Sequence, residues 1–242
     1  MADYRTTLFD AYVSTHTGPR KGELTIRKLE GRSREWEAQL AEFLPSDLGA
    51  RILDAGCGDG AVLWWLQRRG YSNAEGVEVS AEQVAIAESV GVNNVHLGHL
   101  RDFLADRAEV YTLLVLRNVL EHFRKDEVIE LLRLCHRALR PAGHILVQVP
   151  NAESPFFGRI RYGDFTHELA FTTSSLAQVF AATGFDEHRF RPVRPIFRGR
   201  LRGLRALAWR AVEQGYRALI AAEAGVKPAV VTLDILAHAR KV

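Results

Sequence analysis

The hydrophobic and polar positions change rhythm near residue 50. Before that point, Glu23 to Leu44 mixes charges with apolar residues at Leu24, Ile26, Leu29, Trp36, Leu40, Phe43 and Leu44. The pattern predicts one or two amphipathic helices, ended by Pro45. After it, short apolar runs alternate with helical periodicity. Arg51–Asp54, Ala74–Val79, Asn94–Leu97, Tyr111–Leu116 and His144–Val149 are predicted strands, and about Glu187–Val193 and Leu233–Arg240 are expected to bring the sheet to seven. Ala61–Arg69 is predicted helical, and Ser80 with Gln83 three residues on has the form of a capping box for a helix reaching about Val90. From Lys125 to Leu139, apolar residues at Val128, Leu131, Leu132, Cys135, Ala138 and Leu139 keep the i, i+3, i+4 spacing. Pro141 is expected to end that helix and Gly143 to supply a turn.

Strands alternating with helices predict parallel pairing, right-handed crossovers and a sheet covered on both faces. Ligands of such sheets sit beyond the carboxyl ends of the strands. The residues just after each strand are therefore the candidates for chemistry.

Composition narrows the class. Of 242 residues, 47% are hydrophobic and 25% charged, which excludes a disordered chain. Two cysteines exclude a disulfide scaffold or a Cys-based zinc cluster. With no spanning apolar run and no leader-like N-terminus, a cytoplasmic protein with reduced thiols is the expectation. Charge is unevenly placed: Arg189 to Arg217 holds nine Arg and one Glu, so the remainder is net acidic. Such asymmetry points to an anionic partner surface.

Asp54-Ala55-Gly56-Cys57-Gly58-Asp59-Gly60 follows the first strand. Its glycines admit positive φ and a close ligand. The third Gly comes one residue early for a dinucleotide fingerprint, and no G-K-[ST] is present for a phosphate loop. Glu78 ends the second strand, where an acid can accept hydrogen bonds from ribose hydroxyls. An Asp ahead of the glycines suits a ligand carrying an ammonium and a sulfonium.

Asp54 to Gly60, Glu78 and Asn118-Val119-Leu120-Glu121-His122 together resemble the motifs of class I S-adenosylmethionine-dependent methyltransferases over roughly residues 50 to 150. The resemblance implies a Rossmann-like, seven-stranded, mostly parallel sheet with S-adenosylmethionine as cofactor. It implies a domain over 51–242 with a helical insertion at about 198–230, behind an N-terminal helical extension or lid over 1–50. It places Asp54, Ala55, Gly56, Cys57, Gly58 and Gly60 against the methionine part, and Glu78 and Val79 at the ribose. His99 and Leu100 fall in the adenine-contacting loop, where many members carry Asp and Ala. Arg117 matches a position that touches the cofactor through its main chain.

The acceptor side is read from the polar loop Asn151 to Ala170. Tyr162-Gly163-Asp164-Phe165-Thr166-His167 and Phe171-Thr172-Thr173-Ser174-Ser175-Leu176 resemble patterns of methyltransferases found with bacterial surface-glycan and lipopolysaccharide synthesis. So do Tyr12 to His16 and Asp234 to Lys241. The resemblance implies transfer to a sugar hydroxyl, with Tyr12, Arg161, Tyr162 and Asp164 as acceptor contacts. His167 or His122, ahead of His16, is the expected proton acceptor, since imidazole can take a proton near neutral pH. No metal is required, although Asp164 and neighbouring acids are able to hold a divalent ion. A quinone or small aromatic acceptor, and a cofactor-binding regulator without catalysis, are the rival readings. The basic stretch from about 198 to 217 puts Arg198, Arg202 and Arg205 on one helical face and Leu201, Leu204, Ala208, Ala211 and Val212 on another. Peripheral membrane contact follows from that pattern; nucleic acid is disfavoured because stacking aromatics are few.

Overall fold

The computed structural model describes residues 4–17, 24–197 and 199–242. Its centre is a seven-stranded sheet in the order β3-β2-β1-β4-β5-β7-β6. The strands are β1 Ile52–Ala55, β2 Ala74–Glu78, β3 Val95–Leu97, β4 Tyr111–Arg117, β5 Leu139–Pro150, β6 Phe185–Pro192 and β7 Asp234–Lys241. β1 to β5 pair in parallel, and β7 runs antiparallel to both β5 and β6. The strand order reverses between β1 and β4, which opens the crevice where ligands of such sheets bind.

Helices α2 (Ile26–Leu40), α3 (Ala61–Arg68) and α4 (Ala81–Ser89) cover one face; α5 (Leu100–Ala105), α6 (Lys125–Ala138) and α8 (Thr173–Ala182) cover the other. The periodicity of α6 is realised in full, with Val128, Leu131, Leu132, Cys135 and Ala138 all buried. Each such Leu contributes about 1.5–3 kcal/mol by leaving water. In α2, Leu29, Trp36 and Leu40 are buried, and the Trp36 ring stands 6.4 Å from Trp65 of α3. This part of the N-terminal extension is therefore built into the core.

Two local expectations are corrected. β5 starts directly after α6 at Leu139, and Pro141 does not separate them. The strand instead carries a register shift opposite Tyr111 and Leu113, with Ala142 at φ +61°, so Pro141 sits at an irregularity where no ladder donor is needed. The Ser80–Gln83 capping box does not form: Ser80 Oγ is buried without a hydrogen-bond partner. The Ser80 amide donates to the Glu78 carboxylate at 2.9 Å, and Gln83 lines the cavity described below.

The basic insertion forms α9, Arg202–Ala224. It docks by a narrow side only. Glu213 is buried there between Arg194 at 3.1 Å and Arg217 at 3.3 Å, and Arg217 also donates to the carbonyls of Pro228 and Ala229. Arg198 lies outside the described residues. The short helix α1 (Tyr4–Asp10) lines the crevice, and the short helix α7 (Phe157–Arg161) follows β5.

Candidate active site

A cavity of about 670 Å³ opens at the carboxyl ends of β1, β2 and β4. The turn after β1 forms its floor. The amides of Gly56 and Cys57 donate to the Val77 carbonyl at 2.9 and 3.0 Å, tying the turn to β2. Gly56 has φ +74°, and a Cβ there would meet Val119 Cγ2 at 2.6 Å, so both conformation and space require glycine. Gly60 serves packing: a Cβ on it would stand 2.8 Å from Ala87 of α4.

Glu78 holds this turn and faces the cavity. Its Oε2 accepts from the Gly58 amide at 2.9 Å and its Oε1 from the Ser80 amide at 2.9 Å. A carboxylate has about four acceptor sites, so the amides leave acceptor capacity for ligand hydroxyls. Burial raises the Glu78 pKa although these amides oppose it. Burial also pushes the Asp54 carboxyl up to about 7, against the pull of Arg117. Arg117 donates to Gln148 Oε1 at 2.9 Å, which ties its side chain to its register partner on β5. Two desolvated carboxyl groups facing one cavity match what S-adenosylmethionine presents: an ammonium with a sulfonium, and a pair of ribose hydroxyls.

At the other end of the cavity the chain brings together residues far apart in sequence. Asp164 Oδ1 accepts from the Thr166 hydroxyl at 2.6 Å and the Thr166 amide at 2.9 Å. Asp164 Oδ2 accepts from the Tyr12 hydroxyl at 2.6 Å and lies 3.2 Å from His16 Nε2. Burial opposes ionisation of Asp164, but the hydrogen bonds from Thr166 and Tyr12 outweigh it and bring the carboxyl down to about 2. The Thr166 hydrogen is committed to Asp164, so Thr166 Oγ1 accepts from His122 Nδ1, 2.9 Å away. The lone pair of the neutral His122 ring is then on Nε2. Burial holds its pKa down to about 4, so the ring is neutral. The His167 ring centre is 4.8 Å from that of His122, and burial lowers its pKa as well.

Most residues expected at the cofactor line the cavity: Asp54, Gly56, Cys57, Gly58, Glu78, Val79, His99, Leu100 and Arg117. Ala55 and Gly60 are not among the lining residues, and the Ala55 side chain belongs to the core. Of the acceptor candidates, Tyr12 and His122 line the cavity; His16, Asp164 and His167 stand behind them. Arg161 donates to the Glu168 carbonyl at 2.7 Å, and Tyr162 is 76% exposed, so the structure does not bring either into the cavity.

Sequence reasoning missed helix α1 as a wall. Arg5 and Phe9 line the cavity, and Arg5 pairs with Glu127 at 2.7 and 3.0 Å. The Val13 and Ser14 amides donate to Glu82 at 2.7 and 3.2 Å, and Tyr4 donates to Glu168. Glu121 was also missed as a functional side chain. It is fully buried, and no well-formed hydrogen bond meets either carboxylate oxygen. Burial raises its pKa to about 8.

Comparison with known proteins agrees with this geometry. The model of a family described as a methyltransferase domain matches residues 29–188. No curated protein matches. Among solved structures, a S-adenosylmethionine-dependent methyltransferase from Archaeoglobus fulgidus is 20% identical, covering 89% of this chain and 97% of that one with a TM-score of 0.65. Phosphoethanolamine N-methyltransferase 2 of Haemonchus contortus is 18% identical, covering 100% of this chain and 60% of that one, with a TM-score of 0.64. The 1,6-didemethyltoxoflavin-N1-methyltransferase of Burkholderia thailandensis is 19% identical, covering 100% and 92%, with a TM-score of 0.56. These likenesses are to the fold. The family match runs over the glycine turn, Glu78 and all of β1 to β5, more than half of the 242 residues, and on that ground the chain belongs to the methyltransferase domain family, with S-adenosylmethionine as its cofactor.

Proposed function

We propose that the protein transfers the methyl group of S-adenosylmethionine to a hydroxyl of a sugar, in a surface glycan or its lipid-linked precursor. The observation that carries this reading is the hydrogen-bonded chain Tyr12–Asp164–Thr166–His122 at the cavity wall. A polyhydroxyl acceptor needs such fixed polar groups for orientation. An alcohol also needs a proton acceptor as it attacks, and the lone pair of the neutral His122 ring is directed by this chain. The cofactor supplies an electrophilic methyl on sulfur; alignment of the hydroxyl with it supplies much of the rate. The segment 4–17 acts as a lid, fastened at Glu127, Glu82 and Glu168. A quinone or aromatic acceptor is favoured by one observation, the rings of Phe9 and Phe123 in the cavity wall. Release of S-adenosylhomocysteine against a panel of sugars, lipid-linked glycans and catechols separates the two. Turnover with catechols alone would overturn the sugar reading.

Asp54 is assigned to the cationic end of the cofactor. Its carboxyl, at about 7 in the free protein, is mostly protonated below neutrality. Binding an ammonium favours the ionised form, so binding releases a proton below pH 7, and affinity rises with pH until that group is ionised. Calorimetry should show S-adenosylhomocysteine binding about tenfold tighter at about pH 8 than at about pH 6, and Asp54→Asn should bind with equal affinity at both. A flat wild-type profile would remove Asp54 from this role.

The same acceptor class fits the outer surface. Along α9, Leu201, Leu204, Leu207 and Leu219 are 63–65% exposed on one side of the helix, flanked by exposed Arg200, Arg202, Arg205 and Arg210. A second copy meeting this face would bring like charges together. An anionic lipid surface satisfies both the apolar stripe and the arginines. Among the described residues no helix is long and apolar enough to cross a membrane, so the contact is peripheral. Each Arg near such a surface is worth about 1 kcal/mol, and the contact should be salt-sensitive. Sedimentation with phosphatidylglycerol-containing vesicles should carry the protein down, and phosphatidylcholine vesicles should not. Absence of binding to both, with a dimer in solution, would give this face to a second copy instead.

A further inference from the structure

Glu121, His122 and His167 are the one group of three His, Cys, Asp or Glu side chains among the described residues whose ligand atoms all lie within 4.8 Å of one another. We propose that they form a site for a divalent first-row transition-metal ion. The inference deepens the methyl-transfer reading above and rests on it only for the ion's role, not for its binding; in the metal-loaded protein His122 Nε2 is a ligand, so polarisation of the hydroxyl by the ion replaces proton acceptance by that nitrogen.

Three observations meet here. Glu121 is 0% exposed, and neither carboxylate oxygen has a well-formed hydrogen bond; its own amide and the Asn118 side chain approach it without normal geometry. A carboxylate out of water and without a proper partner is costly unless a cation or proton joins it. The second observation is the tautomers. His122 Nδ1 donates to Thr166 Oγ1, as argued above. His167 Nδ1 lies 3.1 Å from the Ile160 carbonyl, which can only accept, so that nitrogen carries the hydrogen. Both rings therefore hold a lone pair at Nε2. Hydrogen bonding of the far nitrogen to a carbonyl or a carboxylate-backed hydroxyl is the support that metal-binding histidines receive. The third is position. His122 lines the cavity and Asp164, unused as a ligand here, backs Thr166. An ion beside His122 would stand at the acceptor end of the cavity, where a Lewis acid polarises a hydroxyl oxygen.

Two imidazoles and one carboxylate suit zinc, cobalt, iron or manganese better than magnesium, which favours all-oxygen sets. Ligand atoms around such an ion are about 3–3.5 Å apart, given bonds of about 2.0–2.2 Å, so small side-chain rotations close the site from its present 4.8 Å.

The test uses untagged full-length protein, stripped with chelator and saturated with S-adenosylhomocysteine. Cobalt(II) is titrated with visible absorption as the readout, and zinc(II) by calorimetry. One equivalent should bind, with cobalt bands of a nitrogen–oxygen site. Glu121→Gln and His167→Gln should each weaken zinc binding at least about tenfold while S-adenosylhomocysteine affinity stays within a few fold. No stoichiometric binding to the wild type, or unchanged binding in the Glu121→Gln/His167→Gln double variant, would overturn the inference. A protein that binds S-adenosylhomocysteine but no metal loses only this site. The acceptor panel decides the hydroxyl-transfer reading separately.

Discussion

Glu78→Ala should weaken S-adenosylhomocysteine binding by about 100-fold or more, measured by calorimetry on a protein whose folding is checked by its melting curve. The Glu78 carboxylate is assigned two ribose hydroxyls, and a hydrogen bond to a charged group is worth about 1.5–3 kcal/mol. The same substitution leaves the Gly58 and Ser80 amides without their acceptor, each now 2.9 Å from a carboxylate oxygen. The turn that forms the cavity floor then loses its tie to β2 on that side, and the loss adds to the first. Glu78→Gln keeps one acceptor oxygen and should fall between. Unchanged affinity in a folded Glu78→Ala protein would remove the ribose assignment.

Histidine substitutions should have the largest effect on turnover. His167→Ala and His122→Ala are each expected to lower kcat at least about 100-fold, the scale of a positioned proton acceptor, with S-adenosylmethionine affinity within a few fold. From the sequence alone His167 ranks first, because its loop is tuned to the acceptor. In the structure His122 lines the cavity, whereas His167 stands behind it with its ring edge-on at 4.8 Å, so a proton-acceptor role for either is tested by the two substitutions together. Groups that act as a unit are non-additive, so the double variant should be about as slow as either single one. Additive losses would mean two independent tasks. Normal turnover in both single variants would rest the chemistry on proximity or on another group.

Local chemistry made much of this site legible. Asp54 to Gly60 announces a turn that only glycines can follow, and the spacing to Glu78 follows from one strand–helix–strand unit. The periodicity of α6 states which face is buried, because a helix repeats within a few residues. These features were decided by neighbours along the chain. Short-range rules failed where a distant or stronger partner competed. Ser80 looked like a cap, but the Glu78 carboxylate took its amide and Gln83 turned to the cavity. Pro141 looked like a terminator, yet the strand runs on past it, because β4 pairs with Leu139 before it and again from His144 after it.

The sequence by itself determined the fold class, the cofactor turn and the amphipathic pattern of the basic insertion. Tertiary structure decided which side chains meet. Tyr12 reaches Asp164 across 152 positions and Arg5 reaches Glu127 across 122, contacts that no periodicity encodes. Glu121 stands in the sequence only as one residue of the Asn118–His122 motif, and its side chain becomes notable when folding buries it beside His167 without a proper partner. The apolar side of α9 is likewise a pattern until packing leaves it uncovered. The physical reason is the range of the forces involved: backbone conformation is set within a few residues, whereas desolvation and the pairing of buried charges depend on everything the topology brings alongside.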